Sequence, residues 1–166
     1  MSKADLDKLV AKLPSAIVST HSRLGDDTAV VLNGHFLEVM TWLKEGLGYD
    51  FLADVTAVDW LGQDLRFEVV YHLRSMATGN RLRIKVQLAE IEDGPAPEVP
   101  SVVALWPSAN WAEREVWDMY GIKFSNHPDL RRILMYEEFV GYPLRKDYPK
   151  EKRQPLIRRD HSLPEG

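Results

Sequence analysis

The sequence of 166 residues contains no cysteine. Disulfide bonds, thiolate nucleophiles and iron–sulfur clusters held by cysteines of this chain are therefore excluded. Long apolar runs are missing as well, and no stretch approaches the roughly 20 consecutive apolar residues that a membrane-spanning helix needs. The first residues alternate charged side chains with leucine, unlike a secretory signal peptide. We expect a chain that stays in the cytoplasm and does not span a membrane by itself.

Positive charge is scarce in most of the chain. The net charge is -4, which argues against a general nucleic-acid binder. Between residues 141 and 159, however, seven lysines and arginines stand against two acidic residues. Prolines among these charges leave too few apolar residues to build a core. We therefore predict an acidic body followed by an extended basic tail over residues 146–166.

Hydrophobic periodicity predicts an α+β fold with two layers. Helical spacing and period-two alternation follow one another along the chain, and the last two strands form an antiparallel hairpin with one buried and one wet face. The prediction is a five-stranded, mostly antiparallel or mixed sheet with helices on one face, followed by an irregular extended C-terminal segment. The predicted elements are a helix at 6–13, strands at 16–20 and 28–32, a helix at 36–47, and strands at 51–59, 65–74 and 81–88.

A stiff connector divides the chain. Residues 92–100 contain three prolines and one glycine, a composition typical of such a linker. We predict a sheet body over 1–92, then a connector, docking helix and turn motif over 93–145 that pack on the same domain. Residues 102–106 are predicted to be a short helical or extended piece.

The docking helix has its own start and stop signals. Asn110 is a favourable N-cap residue, Glu113 occupies the capping-box position, and Gly121 fits the C-terminal stop. The i,i+4 spacing predicts an ion pair between Arg114 and Asp118.

Charged residues crowd this helix and the turn after it. Glu115 lies beside the apolar stripe, where an unpaired buried carboxylate is costly. Arg131 and Arg132, which follow the His127-Pro128 turn, are its predicted partners. The favoured interpretation is a buried or interfacial ion-pair cluster that determines how the C-terminal half folds back.

Two other functions use the same residues or the basic tail. A small hydrolase would use Glu113 or Glu115 as general base and His127 with Asp129 as an acid and its orienting group. The two glutamates point in different directions from a helix, and the histidines lack metal-ligand spacing. A nucleic-acid binder would use residues 141–159, but the acidic body disfavours it. No phosphate-binding glycine loop or Gly-x-Ser-x-Gly motif occurs.

Five tryptophans are an unusually high number for a chain of this length. Three of the five tryptophans fall within residues 106–117, next to arginines. Core filling is the ordinary explanation, but Trp and Arg are also enriched at the energetic centres of protein interfaces. An extended basic tail beside them favours a partner surface.

Three sequence blocks resemble a known family signature. They read AEREVWDMYGIKF from residue 112, HPDLRRIL from residue 127 and GYPLRKDYP over 141–149. In order and spacing they are similar to the C subunit of NADH-quinone oxidoreductase, the 30 kDa subunit family of respiratory complex I. Asn126 stands where that family usually has Gly, and Asn tolerates the left-handed backbone, so we expect the turn to be kept. Tyr142 stands where the family often has His, so this chain offers no imidazole at that position.

The resemblance implies a structural role. It implies a non-catalytic subunit of the peripheral arm of a proton-translocating NADH-quinone oxidoreductase, on the cytoplasmic side of the inner (cell) membrane. This chain would carry no cofactor, whereas FMN and iron–sulfur clusters would lie in partner subunits. The implied partners are other complex I subunits, chiefly the quinone-site D subunit and the cluster-bearing small subunits. A related membrane-bound hydrogenase, or a quinone-linked dehydrogenase with another donor, is the alternative machine.

The resemblance also implies a set of interface and signature residues but no catalytic, cofactor or metal residue. They are Glu113, Arg114, Glu115, Trp117, Asp118, Tyr120, Gly121, Phe124, His127, Pro128, Asp129, Leu130, Arg131, Arg132, Pro143, Leu144, Arg145, Lys146, Asp147, Tyr148 and Pro149.

Overall fold

The computed structural model of the chain describes residues 3–91, 94–151 and 154. Within these residues there are three α-helices, seven strands and two 3-10 turns of three residues each. In chain order the α-helices and strands are α1 (Lys3–Lys12), β1 (Ile17–Arg23), β2 (Asp26–Val31), α2 (Phe36–Leu47), β3 (Phe51–Asp59), β4 (Phe67–Arg74), β5 (Arg81–Leu88), β6 (Glu98–Pro100), α3 (Ala109–Tyr120) and β7 (Lys123–Ser125). The turns span Pro14–Ala16, before β1, and Asn33–His35, before α2.

Five of the strands form one mixed sheet. Their order is β1-β2-β5-β4-β3, and all neighbours run antiparallel except β2 and β5, which are parallel. The parallel pair arises because the chain crosses over through α2, β3 and β4 before β5 returns beside β2. The predicted α+β fold with a five-stranded mixed sheet is confirmed.

The core lies between the helices and one face of this sheet. Alternate residues of β4 and β5 point inward, because successive side chains of a strand face opposite sides. The Phe36 ring of α2 lies 4.8 Å from the Tyr71 ring of β4, centre to centre. The fully buried side chains include Leu9, Phe36, Met40, Leu43, Phe67, Tyr71 and Ile84.

The opposite face of β4 is drier than predicted. Glu68 and Val70 are each only 5% exposed, although the alternation placed them on the wet side. Lys85 of β5 donates a hydrogen bond to Glu68 at 2.7 Å, and Gln87 lies against the same carboxylate. Long polar side chains of β5 thus cover the centre of this face with their aliphatic stems. The predicted alternation between buried and more exposed residues is seen in β5, whereas in β4 the residues on both faces are mostly buried.

The second half adds elements that periodicity did not predict. The end of the predicted connector forms β6, which pairs in parallel with β7 just after α3. Three-residue strands are too short to show alternation, so the sequence carried no signal for them. Residues 102–106 form a turn, neither helix nor strand. Of the predicted basic tail, residues 152, 153 and 155–166 lie outside the described residues.

Candidate functional site

Helix α3 carries the first signature block and begins earlier than its predicted cap. The helix starts at Ala109, so Asn110 lies inside it, and no side-chain hydrogen bond caps it at Ser108. The fully buried Glu113 accepts hydrogen bonds from the Ser101 hydroxyl at 2.6 Å and the Val102 N–H at 2.8 Å. The predicted capping box is wrong, because Glu113 holds the turn that precedes the helix.

The end of α3 agrees with the prediction. Gly121 has a φ of 76°, and its N–H donates to the carbonyl of Trp117 at 2.8 Å. A Cβ at this position would lie 2.5 Å from the ring of Tyr142. Gly121 is therefore required both by the left-handed backbone and by the close approach of the segment that returns over the helix.

A buried polar cluster surrounds Glu113. The side chain of His127 is fully buried, and its Nε2 lies 3.9 Å from a carboxylate oxygen of Glu113. His127 Nδ1 accepts the N–H of Asp129 at 3.0 Å, and Nε2 lies 3.2 Å from the carbonyl of Asn110. The hydrogen bonds therefore assign the ring proton to Nε2. His127 ties the turn that follows α3 back to the start of the helix.

Burial dominates the electrostatics of this cluster. It raises the pKa of Glu113 to about 7, although the hydrogen bonds from Ser101 and Val102 act in the opposite direction. The Tyr71 hydroxyl is buried with no hydrogen-bond partner among the described residues. Burial, and next the charge of Glu113, raise the pKa of Tyr71.

Asp118 is the carboxylate around which the next segment folds. It is fully buried, and one of its oxygens accepts three successive backbone N–H groups at 2.8–3.0 Å. These donors belong to Ile133, Leu134 and Met135. Burial acts to raise the pKa of Asp118, but these donors and Arg132 hold it below its usual range.

Arg132 pairs with Asp118. Its guanidinium also donates to the carbonyl of Gly141 at 3.0 Å and lies over three aromatic rings at 5.5–5.8 Å from their centres. The rings belong to Trp117, Phe139 and Tyr142. One arginine thus links α3 to the segment that carries the third signature block.

The predicted partners of Glu115 and Arg114 are wrong. Glu115 is exposed, and Arg131 pairs with Asp129 at 2.7 and 2.8 Å. Arg114 donates to the carbonyls of residues 131 and 132 and not to the Asp118 carboxylate. The reason is desolvation. The buried carboxylate of Asp118 requires a positively charged partner, whereas the exposed carboxylate of Glu115 is solvated by water.

A second ion cluster lies where β3 and β4 meet. Arg66 binds both oxygens of Asp59 at 2.9 and 2.8 Å. The same guanidinium contacts Glu90 and, at 2.9 Å, Asp147. Arg145 also contacts Glu90 and lies 3.4 Å from Asp147. The sequence reasoning missed Asp59, Arg66 and Glu90, because the alternation of β4 assigned Arg66 to the wet face.

This cluster anchors the residues we call the C-terminal strap, 142–149. The Lys146 N–H donates to Asp59 at 2.8 Å, and the Leu144 N–H donates to the carbonyl of Met119 at 3.1 Å. Burial acts to raise the pKa of Asp59, but Arg66 and the Lys146 N–H hold it below its usual value. The third signature block is thereby bonded to both the sheet and α3.

The comparison with a family model decides the identity. Residues 29–154 match the model of the respiratory-chain NADH dehydrogenase 30 Kd subunit. The chain belongs to this family. It is 49% identical over 142 residues to the NADH-quinone oxidoreductase C subunit of Citrifermentans bemidjiense, with 86% of each chain covered. It is 48% identical to the C subunit of Paramagnetospirillum magneticum, with 87% of this chain and 72% of that one covered. The resemblance seen in the three blocks is confirmed.

Solved structures agree with the 30 kDa family fold. The trypsin-resistant fragment (1–134) of Nqo5 matches with a TM-score of 0.61 and 35% identity, covering 77% of this chain and 98% of that one. A chain of the membrane-bound sulfane sulfur reductase, an archaeal respiratory membrane complex, matches with a TM-score of 0.75 and 25% identity. That match covers 90% of this chain and 86% of the other.

The predicted interface and signature residues differ widely in exposure. Glu113, Asp118, Gly121 and Phe124 are buried. Ten are half-buried: Arg114, Trp117, Tyr120, His127, Asp129, Leu130, Arg132, Pro143, Arg145 and Tyr148. The exposed ones are Glu115, Pro128, Arg131, Leu144, Lys146, Asp147 and Pro149. Asn126, where the family resemblance led us to expect a left-handed turn, has a φ of 60°, as predicted.

Of the residues of the alternative hydrolase, only Glu113 and His127 have their side chains close together, at 3.9 Å, and both are buried away from any substrate. The side chain of His127 is fully buried, whereas Glu115 is exposed and Asp129 is held by Arg131. Across the described ranges, no three His, Cys, Asp or Glu side chains are grouped so that they would hold a metal ion. None of the helices within those ranges is long and apolar enough to cross a membrane.

Proposed function

We propose that this chain is a non-catalytic structural subunit in the peripheral arm of a proton-translocating NADH-quinone oxidoreductase, docked on the quinone-site D subunit. Its family membership supports the complex. The observation that carries the structural role is the pairing of buried charges within the chain itself. Asp118 with Arg132, and Asp59 with Arg66, hold the chain's own segments together. A buried, saturated carboxylate is unsuited to exchanging protons with a substrate.

Partner subunits would supply the redox groups. The chain has no cysteine with which to hold an iron–sulfur cluster. FMN and the clusters would therefore lie in the other subunits, and transfer of electrons from NADH to quinone would belong to the whole complex. Attachment to the cytoplasmic side of the inner membrane would be through these partners.

The anchored strap supports a docking role. Hydrogen bonds to Asp59 and Met119 and the ion pairs of Arg145 hold residues 142–149 in one conformation. A surface that is ordered before binding loses less conformational entropy when a partner covers it. Leu144 is 53% exposed in this strap and Leu134 56% exposed in the preceding segment. Apolar area therefore remains for a partner such as the quinone-site subunit or the cluster-bearing small subunits.

The equivalent subunit of a related machine is the second candidate. A chain of the membrane-bound sulfane sulfur reductase has the same fold over 90% of this chain. The same fold is therefore compatible with a complex fed by a donor other than NADH.

Co-purification tests both candidates. The gene is tagged at its own locus, membranes are solubilised in mild detergent, and the purified material is examined by mass spectrometry and for NADH-dependent quinone reduction. We expect the quinone-site subunit, flavin-bearing subunits and activity in one particle. A particle with a quinone-site subunit but no NADH-binding subunit would favour the second candidate. Recovery of the chain alone would contradict both.

A further inference from the structure

We propose that the β3–β4 loop and Lys146 form a contact surface for an apolar, carboxylate-bearing segment of a partner subunit. We name it the Trp60 surface, and it consists of Trp60, Leu61, Leu65 and Lys146. The inference rests on the proposed function and assigns the place of contact to residues outside the family signature, except for Lys146.

The loop exposes an unusual amount of apolar surface. Trp60 is 46% exposed, Leu61 50% and Leu65 46%, within six consecutive residues. Single exposed apolar side chains are common, but a group of them is typical of an interaction site. Tryptophan is among the residues that contribute most to binding at protein interfaces.

The loop is held in one conformation. Its base is closed by a hydrogen bond from the Trp60 N–H to the Arg66 carbonyl at 2.7 Å, and the Gln63 N–H donates to the Trp60 carbonyl at 2.9 Å. Gly62 provides the left-handed turn with a φ of 92°. Directly below, the side chain of Arg66 binds the buried Asp59. A rigid loop presents its apolar side chains at little entropic cost to the partner.

Lys146 brings a positive charge to this apolar group. Its backbone bond to Asp59 positions the residue, and its Nζ lies 5.8 Å from the centre of the Trp60 ring. Arg66 and Arg145 have carboxylate partners, whereas Lys146 has no ion pair within the part of the chain that is described. A partner carboxylate would satisfy this charge once the partner covers the ring.

The charges around the loop favour a protein over a lipid surface. Trp60 and Leu65 line a depression of about 480 Å³ together with Asp64 and with Glu68 and Lys85, which pair with each other. The lining therefore carries no excess of positive charge that would attract anionic lipid headgroups. A partner segment with apolar side chains and one carboxylate matches both Trp60 and Lys146.

The test uses the tagged chain expressed from its own locus. Trp60→Glu and Leu61→Glu are compared with Met76→Glu, which changes a 62% exposed residue in the β4–β5 turn at the other end of the strands. We expect the first two to lower recovery of partner subunits about tenfold or more, with Met76→Glu close to wild type. Thermal melting of each purified variant shows whether the chain itself remains folded. Two loop variants are used so that the test still stands if one of them misfolds.

A cross-linking experiment identifies the contact. A photoreactive phenylalanine analogue replaces Leu61, or Met76 as control, and the cross-linked peptide is sequenced from the purified particle. We expect a peptide of another subunit that combines apolar residues with Asp or Glu, from position 61 only. Lys146→Glu should lower partner recovery, whereas Lys12→Glu on α1 should not.

Several outcomes would overturn the inference. They are unchanged partner recovery in both loop variants, a cross-link to a second copy of this chain, and a cross-linked peptide without a carboxylate. Binding of the isolated chain to phosphatidylglycerol vesicles that Trp60→Glu abolishes would also overturn it in favour of a lipid surface. In each case a wild-type chain that still co-purifies with its complex leaves the proposed function standing. If the wild-type chain fails to co-purify with partner subunits, the proposed function itself is contradicted.

Discussion

Arg132 is paired with Asp118, inside the chain, and the pair joins helix α3 to the segment that follows it. The carboxylate is fully buried and accepts three backbone N–H groups in addition to the guanidinium. A charge so enclosed is stable only while every donor is in place. Arg132, which lies in the second sequence block, therefore organises the fold of its own chain.

Asp118→Asn should destabilise the chain strongly. The amide nitrogen would face backbone N–H donors, and Arg132 would lose its counter-charge in a buried site. We expect a loss of about 3–5 kcal/mol in the free energy of unfolding, measured by urea denaturation. Asp129→Asn is the control, because the pair between Asp129 and Arg131 is exposed, and its denaturation midpoint should stay at the wild-type value. Equal midpoints for the two variants would contradict this prediction.

Arg66→Met should loosen the C-terminal strap. The variant removes the cation that Asp59, Glu90 and Asp147 share, so the strap loses its ion pair between Asp147 and Arg66 and keeps the bonds of Lys146 and Arg145. Limited trypsin digestion measures this, and we expect cleavage after Arg145 to be about tenfold faster, because proteolysis follows local opening. Cleavage after Arg23, the last residue of β1 before the β1–β2 turn, serves as the internal reference. A strap that stays protected while Arg66 is absent would show that other bonds hold it.

Glu113→Gln should change how stability depends on pH. Burial raises the pKa of Glu113 from 4.5 to about 7, so the folded state favours the neutral carboxyl. The stability gained by keeping Glu113 protonated is complete below the pKa that this carboxyl has in the unfolded chain. It is lost as the pH rises through the pKa that Glu113 has in the folded protein. The wild type should therefore lose about 3 kcal/mol relative to the variant between pH 5 and pH 8. Urea denaturation across that range checks the prediction, and parallel curves for both proteins would refute it.

Gly121→Ala should cost more than Gly48→Ala. Both glycines end helices with left-handed backbones, φ 76° and 71°, so both substitutions carry the same strain of about 1 kcal/mol. Only at Gly121 would the new Cβ meet a ring, that of Tyr142, whereas nothing lies within 4 Å at Gly48. We expect a further loss of about 1–3 kcal/mol at Gly121, measured as the difference between the two denaturation midpoints. Equal losses would mean that the Tyr142 segment moves away freely.

Local patterns predicted the secondary structure well wherever an element is long enough to show a period. Helix α2 follows the predicted helical period and strand β5 the predicted alternation. Gly121 and Asn126 adopt the left-handed backbone predicted for them. The two three-residue strands and the burial of Arg66 were missed. Each of these features depends on contact with a segment that is distant in the chain. Such contacts produce no periodic pattern in the local sequence.

The sequence by itself determined the fold class, the family and the absence of thiol chemistry, because these depend on periodicity, on motif order and on composition. Only the tertiary structure decided which carboxylate each arginine holds. Glu115 and Asp118 are both acidic residues of one helix, three positions apart. Desolvation distinguishes them, since the fold buries Asp118 among backbone donors and leaves Glu115 in water.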